Sequence, residues 1–165
     1  MSSLVPVGIL TPVAIKIGAV SWMPKLLPQI EKWDTRLQRV SSGRLSALDI
    51  AGLPNITLTV PGRKSGVPRS TPLLCVPQDG GWLIAGSYFG DKRMPVWVLN
   101  LRACAKAEII YRRETVEVSW REVTGSEREQ AWQRMLAVWP NFAVYEKRTE
   151  RTIPVFFLSP IASGS

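Results

Sequence analysis

Three cations fall within seven positions in the stretch Pro61-Gly62-Arg63-Lys64-Ser65-Gly66-Val67-Pro68-Arg69. Two glycines bracket the Arg-Lys pair and allow the backbone to come close to a ligand. Arginine presents a planar fork that grips phosphate oxygens in pairs, and lysine adds a mobile point charge. Ser65 and the neighbouring backbone amides complete a nest for an anion. These are the parts of a phosphate clamp. The same composition also suits a solvated basic turn, and spacing alone leaves the two readings even. The stretch is not a nucleotide-hydrolase phosphate loop, because no GxxxxGK[ST] runs from a strand into a helix.

The rest of the composition narrows the chemistry. Histidine is absent, which excludes Ser-His-Asp and Cys-His catalysis and removes the commonest zinc ligand. Cys75 and Cys104 have no CxxC spacing and are expected to be inert thiols in a reducing compartment. No metal site is expected, and no paired carboxylates stand out for acid/base hydrolysis. The formal net charge of +8 calls for an anionic partner: a phosphorylated small molecule, an acidic membrane surface or nucleic acid. Nucleic acid is disfavoured, because the basic residues are scattered and no nucleic-acid motif accompanies them.

The elements that must position the cationic stretch are legible in outline. The length of 165 residues suits one domain. Three parts are expected: an apolar segment over 1–27, a folded domain over 28–160 and a short tail over 161–165. The first segment carries Lys16, Pro6 and Pro12, which disfavour a membrane span, and it has no cation ahead of its apolar run, which disfavours a signal peptide. It caps the core or lies against a membrane surface. A helix is expected from Pro28 to Val40, with a loop over 41–54. Strands are expected at Ile56–Val60, Arg69–Val76 and Trp82–Ser87, forming a three-stranded meander, and again near 107–111, 115–123 and 153–158. A second helix is expected from Pro95 to Ala103. A third starts at Ser126 with a Ser-x-x-Glu capping box closed by Glu129, and is stopped by Pro140; a short helix continues to Arg148. Six short, turn-bounded strands with helices between them imply an α+β, mainly β fold: an antiparallel barrel or sandwich with peripheral helices.

Four ordered blocks resemble the deazaflavin-dependent nitroreductase and quinone reductase family. They are Leu58-Thr59-Val60-x-Gly62-Arg63-Lys64-Ser65-Gly66-x-Pro68-Arg69-x-Thr71-Pro72-Leu73-Leu74, Pro95-x-Trp97-x-x-Asn100-Leu101, Trp139-Pro140-x-Phe142-x-x-Tyr145, and Arg151-x-Ile153-Pro154-Val155. The resemblance implies a split β-barrel, like that of flavin reductases, that binds coenzyme F-420, a hydroxylated deazaflavin with a phosphate and an oligoglutamate tail. By carry-over, Arg63, Lys64, Ser65 and Arg69 hold the phosphate and acidic tail. Ser70, Thr71, Pro72, Leu73 and Leu74 pass their backbone beside the ring. Ala85, Gly86, Ser87 and Tyr88 face it, while Val96, Trp97, Val98, Leu99 and Asn100 close the other side. Lys92 and Arg93 are candidates to extend the cationic patch, and a solvated loop suits them equally.

The same resemblance places an acceptor pocket on Trp139, Phe142 and Tyr145. Only Tyr145 there carries a hydroxyl, so the pocket is expected to favour flat apolar acceptors such as quinones over nitroaromatics. Ser87 and Tyr145 are the candidate catalytic hydroxyls for hydride transfer. Three other readings stay open. One is an enoyl or fatty-acyl reductase, or a flavin-mononucleotide enzyme, on the same barrel. Another is a cofactor carrier without turnover. The third is an adaptor on an anionic membrane whose cations touch only lipid. The expected location is the cytoplasm, with peripheral contact on the inner face of the cell membrane through the N-terminal segment as an open alternative.

Overall fold

The structure, a computed structural model, describes residues 52–162. The apolar 1–27 segment, the expected helix Pro28–Val40 and most of the 41–54 loop and the 161–165 tail lie outside the described residues.

Seven strands form one antiparallel sheet: β1 (Asn55–Pro61), β2 (Pro68–Leu74), β3 (Val76–Gln78), β4 (Gly81–Ala85), β5 (Lys106–Tyr111), β6 (Glu114–Glu122) and β7 (Val155–Pro160). Their spatial order is β2-β1-β5-β6-β7-β4-β3. The sheet curls into a half-barrel of the split-barrel type. The helices are α1 (Val96–Arg102), α2 (Gly125–Val138) and α3 (Asn141–Arg148).

Alternation explains where each face goes. In β1, Ile56, Leu58 and Val60 are buried while Thr57 and Thr59 are only half-buried, the period-two pattern of a strand with one face on the core. Adjacent residues of β4 and β7 face opposite ways and serve two cores. Ile84 and Phe156 join Leu58, Ile109 and Val118 inside the curl, where α1 contributes Val98 and Leu101. Leu83 and Val155 join Trp132, Met135, Phe142 and Tyr145 beneath α2 and α3. Each fully buried large apolar side chain contributes about 1.5–3 kcal/mol.

Two expectations need correction. The expected meander does not form, because the run Arg69–Val76 is two strands. The chain breaks at Cys75, whose N–H donates to the Pro54 carbonyl (3.0 Å). This sends β2 and β3 to opposite edges of the sheet and raises the strand count from six to seven. Pro77 in β3 lacks an N–H, which suits an edge. The Ser126–Glu129 capping box is also not formed. Helix α2 begins one residue earlier, at Gly125, with no side-chain cap on its first turn, and Glu129 accepts from Gln133 instead (3.2 Å). The stop at Pro140 is as expected, with α2 ending at Val138 and α3 beginning at Asn141.

Candidate active site

The cationic stretch is the connection between β1 and β2. The two strands pair in register from Asn55↔Leu74 to Pro61↔Pro68, so the intervening residues must reverse direction tightly. Gly62 N donates to Val67 O (2.8 Å) and Gly66 N to Gly62 O (2.7 Å). Gly66 sits at φ +70°, a backbone conformation that disfavours any side chain. Ser65 Oγ accepts from Val67 N (3.2 Å), and Ser70 Oγ bonds to Thr59 Oγ1 (2.8 Å) across the hairpin. Arg63, Lys64 and Arg69 are exposed. Among the described residues none of the three forms an ion pair, the pairs present being Arg93–Asp91, Arg102–Glu122, Lys106–Glu117 and Arg121–Glu127.

Helix α1 anchors this turn. Asn100 is only 3% exposed, and its Oδ1 accepts both from the Arg63 backbone N–H (3.1 Å) and from Arg63 Nη1 (3.3 Å). A buried amide oxygen thus fixes the place of the first cation. The same helix meets the chain after β4. A Cβ on Gly86 would lie 2.7 Å from Val98 Cγ2 and 2.9 Å from Pro154 Cγ, so only glycine lets that backbone press against α1. Three segments far apart in sequence therefore converge: the 62–67 turn, the 86–91 turn and α1. Within α1, Trp97 and Val98 point into the core, with the Trp97 ring edge-on to Phe156 (centroids 5.8 Å apart). Leu99 is half-buried, and Val96 is 63% exposed. Strand β2, carrying Thr71, Pro72, Leu73 and Leu74 half-buried, forms one edge of the described sheet.

After β4 the chain makes a short 3-10 turn, Tyr88–Gly90, in which three successive residues have positive φ: Tyr88 at 46°, Phe89 at 52° and Gly90 at 80°. Ala85, Ser87 and Tyr88 are half-buried and Gly86 is buried. Arg93 does not extend the free cationic patch. An Asx-type turn brings its backbone N–H onto Asp91 Oδ1 (2.8 Å), and its guanidinium forks onto both carboxylate oxygens (2.9 and 3.0 Å). The Arg93 fork, helped by the charge of Arg151, holds the Asp91 carboxyl below its ordinary range. Lys92 is exposed beside it.

The three residues expected at the acceptor lie together, but in the second core. Trp139 Nε1 donates to the Tyr145 hydroxyl (3.2 Å). Phe142 packs edge-on to Tyr145 at 6.0 Å, and Phe89 covers Tyr145 from above at 5.5 Å. Tyr145 is 2% exposed, and burial pushes its hydroxyl up to about 12. In this arrangement the Tyr145 hydroxyl is buried and accepts from Trp139. Ser87, by contrast, is half-buried on the turn itself. Sequence reasoning assigned no role to Arg151, whose guanidinium ties down the 86–91 turn. Its signals were its place in the fourth family block and its position just before the apolar run Ile153-Pro154-Val155.

The fold is an antiparallel split barrel whose cationic turn, set against the edge strand and a half-buried turn, meets no carboxylate among the described residues. The profile of the F-420H(2)-dependent quinone reductases matches residues 31–160, and the chain belongs to that family of oxidoreductases, whose cofactor is coenzyme F-420. A relative named as an F-420H(2)-dependent quinone reductase, from Mycobacterium tuberculosis, is 29% identical over 134 residues, covering 79% of this chain and 90% of the relative. A solved F-420-H2 dependent reductase is 32% identical with a TM-score of 0.60, covering 64% of this chain and 94% of that one. A second solved chain, described as a domain-swapped dimer, is 29% identical with a TM-score of 0.61, covering 78% and 98%. A heme storage protein from Vibrio cholerae, 12% identical with a TM-score of 0.53, shares the fold alone. The barrel by itself therefore does not select the ligand. No helix among the described residues is long and apolar enough to cross a membrane.

Proposed function

We propose that this enzyme draws a hydride from reduced coenzyme F-420 and delivers it to a quinone, with the cofactor's acidic tail held on the β1–β2 turn. One observation carries the reading: Arg63 and Lys64 on the backbone-bonded turn and Arg69 at the start of β2 are exposed and, among the described residues, paired with no carboxylate. A phosphate followed by several carboxylates fits this donor set better than a neutral ligand does. The reduced deazaflavin supplies the hydride when bound; the residues of this chain bind, orient and exclude water.

In this reading Arg63, fixed by Asn100, sets the position of the tail, while Lys64 and Arg69 follow it along the turn. The backbone of 70–74 and the 85–88 segment bound the ring. Ser87 is the hydroxyl we assign to the acceptor, donating a hydrogen bond to the oxyanion that develops on the quinone; no ionisation of Ser87 is needed for that. Trp139, Phe142 and Tyr145 support the 88–90 turn from behind as apolar packing.

The test is direct. Mix the protein with reduced deazaflavin and a panel of menadione, nitroaromatics and unsaturated acyl compounds, and follow the return of oxidised-cofactor absorbance. Turnover with menadione ahead of the others is expected. Lys64→Ala and Arg69→Ala should each weaken cofactor binding by about 1–3 kcal/mol, the scale of a charged hydrogen bond. Binding without turnover of any acceptor would leave a carrier. Wild-type affinity in both variants would remove the clamp.

A further inference from the structure

The guanidinium of Arg151 makes contacts that packing alone does not require. Its Nε donates to Asp91 O (3.1 Å), Nη1 to Gly86 O (2.9 Å) and Nη2 to Ser87 O (2.9 Å), with Met94 Sδ 3.7 Å from Nη1. All three nitrogens thus reach one short segment at least 57 residues away in sequence. Arg148, one turn earlier, donates to Phe89 O (3.2 Å). Four carbonyls between Gly86 and Asp91 therefore accept from two arginines.

That segment has a conformation it would not choose by itself. Ser87 is right-handed (φ −76°, ψ −38°), and Tyr88 and Phe89 follow at positive φ. Two consecutive L-residues in the left-handed region persist only where the surroundings over-determine them. The turn's own bonds are few: Gly90 N to Ser87 O and Asp91 N to Tyr88 O, both 2.9 Å, with Gly86 N held on Pro154 O at 2.9 Å. A planar fork with five N–H groups can span three carbonyls at once, whereas an ammonium is a single point.

We propose that Arg151 is a positioning residue for the cofactor pocket: by holding the carbonyls of Gly86, Ser87 and Asp91 it fixes the left-handed turn that sets Ser87 against the ring. The clamp itself stands on the hydrogen bonds; its link to the ring rests on the function proposed above. Arg151 touches neither cofactor nor acceptor in this role.

The experiment uses the full chain with Arg151→Ala and Arg151→Lys, and two readouts. The first is amide hydrogen exchange of the free protein. The second is affinity for oxidised deazaflavin by fluorescence titration, with and without added ethylguanidinium. In Arg151→Ala, exchange at Gly90 and Asp91 should quicken at least tenfold while β5 and β6 keep their protection. The deazaflavin Kd should rise at least tenfold. Ethylguanidinium should reverse both changes, which a general loss of packing would not permit. Arg151→Lys keeps the charge yet should show the same two defects, and it carries the test alone if the alanine variant does not fold. Unchanged exchange at Gly90 and Asp91 in a folded variant overturns the clamp. Faster exchange with unchanged Kd overturns the positioning role. Failure of the wild-type protein to bind deazaflavin overturns the proposal through the cofactor reading, and an intact exchange result would show that the fault lies there and not in the clamp.

Discussion

The bond between Asn100 and the cationic turn can be tested by two substitutions that separate holding the turn from serving the ligand. Asn100→Leu removes the acceptor of two hydrogen bonds, the Arg63 backbone N–H at 3.1 Å and Nη1 at 3.3 Å. Arg63 is exposed as a residue and both bonds are part-buried, so the full penalty for two buried orphans does not apply. The net value of each bond is then about 0.5–1.5 kcal/mol, or about 1–3 kcal/mol for the pair. At about 2–4 °C per kcal/mol for a chain of this size, the melting temperature should fall by several degrees. If the turn must be pre-set to receive the tail, the same free energy reappears in binding, and the deazaflavin Kd rises roughly 5- to 140-fold, since about 1.4 kcal/mol is tenfold.

Asn100→Asp divides the two effects. A carboxylate at this site can accept the same two bonds and so keeps the turn anchored, but Asn100 is buried, so the desolvation cost of the charge is set against its attraction to Arg63 and stability should fall. A negative charge at the base of an anion site should also weaken cofactor binding. Urea melts give the stability and fluorescence titration the affinity. Wild-type affinity in Asn100→Leu, alongside the expected loss of stability, would refute the reasoning, because it would mean that the turn binds equally well unanchored.

Gly86→Ala places a methyl 2.7 Å from Val98 Cγ2 and 2.9 Å from Pro154 Cγ; the overpacking should cost about 1–3 kcal/mol in a urea melt. Tyr145→Phe leaves the buried Trp139 N–H without its acceptor at 3.2 Å and should lower stability by about 1–3 kcal/mol. Turnover in that variant should change little at saturating acceptor; a tenfold loss of turnover with stability intact would instead show that the hydroxyl reaches the acceptor. Burial pushes the Cys75 thiol from 9.0 to about 12, so its stabilising contribution is complete below about pH 9 and is lost as pH rises toward about 12, because the unfolded chain ionises first. Denaturant melts should show stability falling across that alkaline window, with a smaller decline in Cys75→Ala.

What the sequence makes legible is local. The β1–β2 hairpin and its turn follow from alternation and two glycines, α1 from Pro95, and the α2–α3 break from Pro140. What it hides depends on distant partners. Leu73-Leu74-Cys75-Val76 reads as one continuous strand, and only the Cys75 N–H to Pro54 bond reveals the break. The capping box is present in residue types, yet the helix starts one position ahead of it. Arg93 looks like part of a basic patch until the turn at Asp91 folds its charge onto a carboxylate. Arg151 belongs to a recognisable block, but its hold on the turn shows only when Gly86, Ser87 and Asp91 arrive beside it. At the site, therefore, the cations that meet solvent were readable, while the groups that hold the backbone in place were not.

This division suits the chemistry. A chain without histidine has no side chain whose ordinary pKa lies near neutrality. The buried thiol and phenol here are pushed away from neutrality, not toward it. Such a chain is poorly equipped to drive a reaction by moving protons, but it can fix where a ligand's charge and plane must lie. Asn100 under the cationic turn and Arg151 under the Ser87 turn do the same kind of work: each uses a half-buried or buried polar group to lock a backbone segment, and α1 with the 151–154 strand entry ties the two segments together through Gly86. Hydride transfer rewards that arrangement, since its rate depends on the approach and alignment of two carbon centres more than on proton supply. If the proposed function holds, the distance between the two turns sets specificity, and substitutions that shift either one should alter which acceptors are reduced before they abolish reduction.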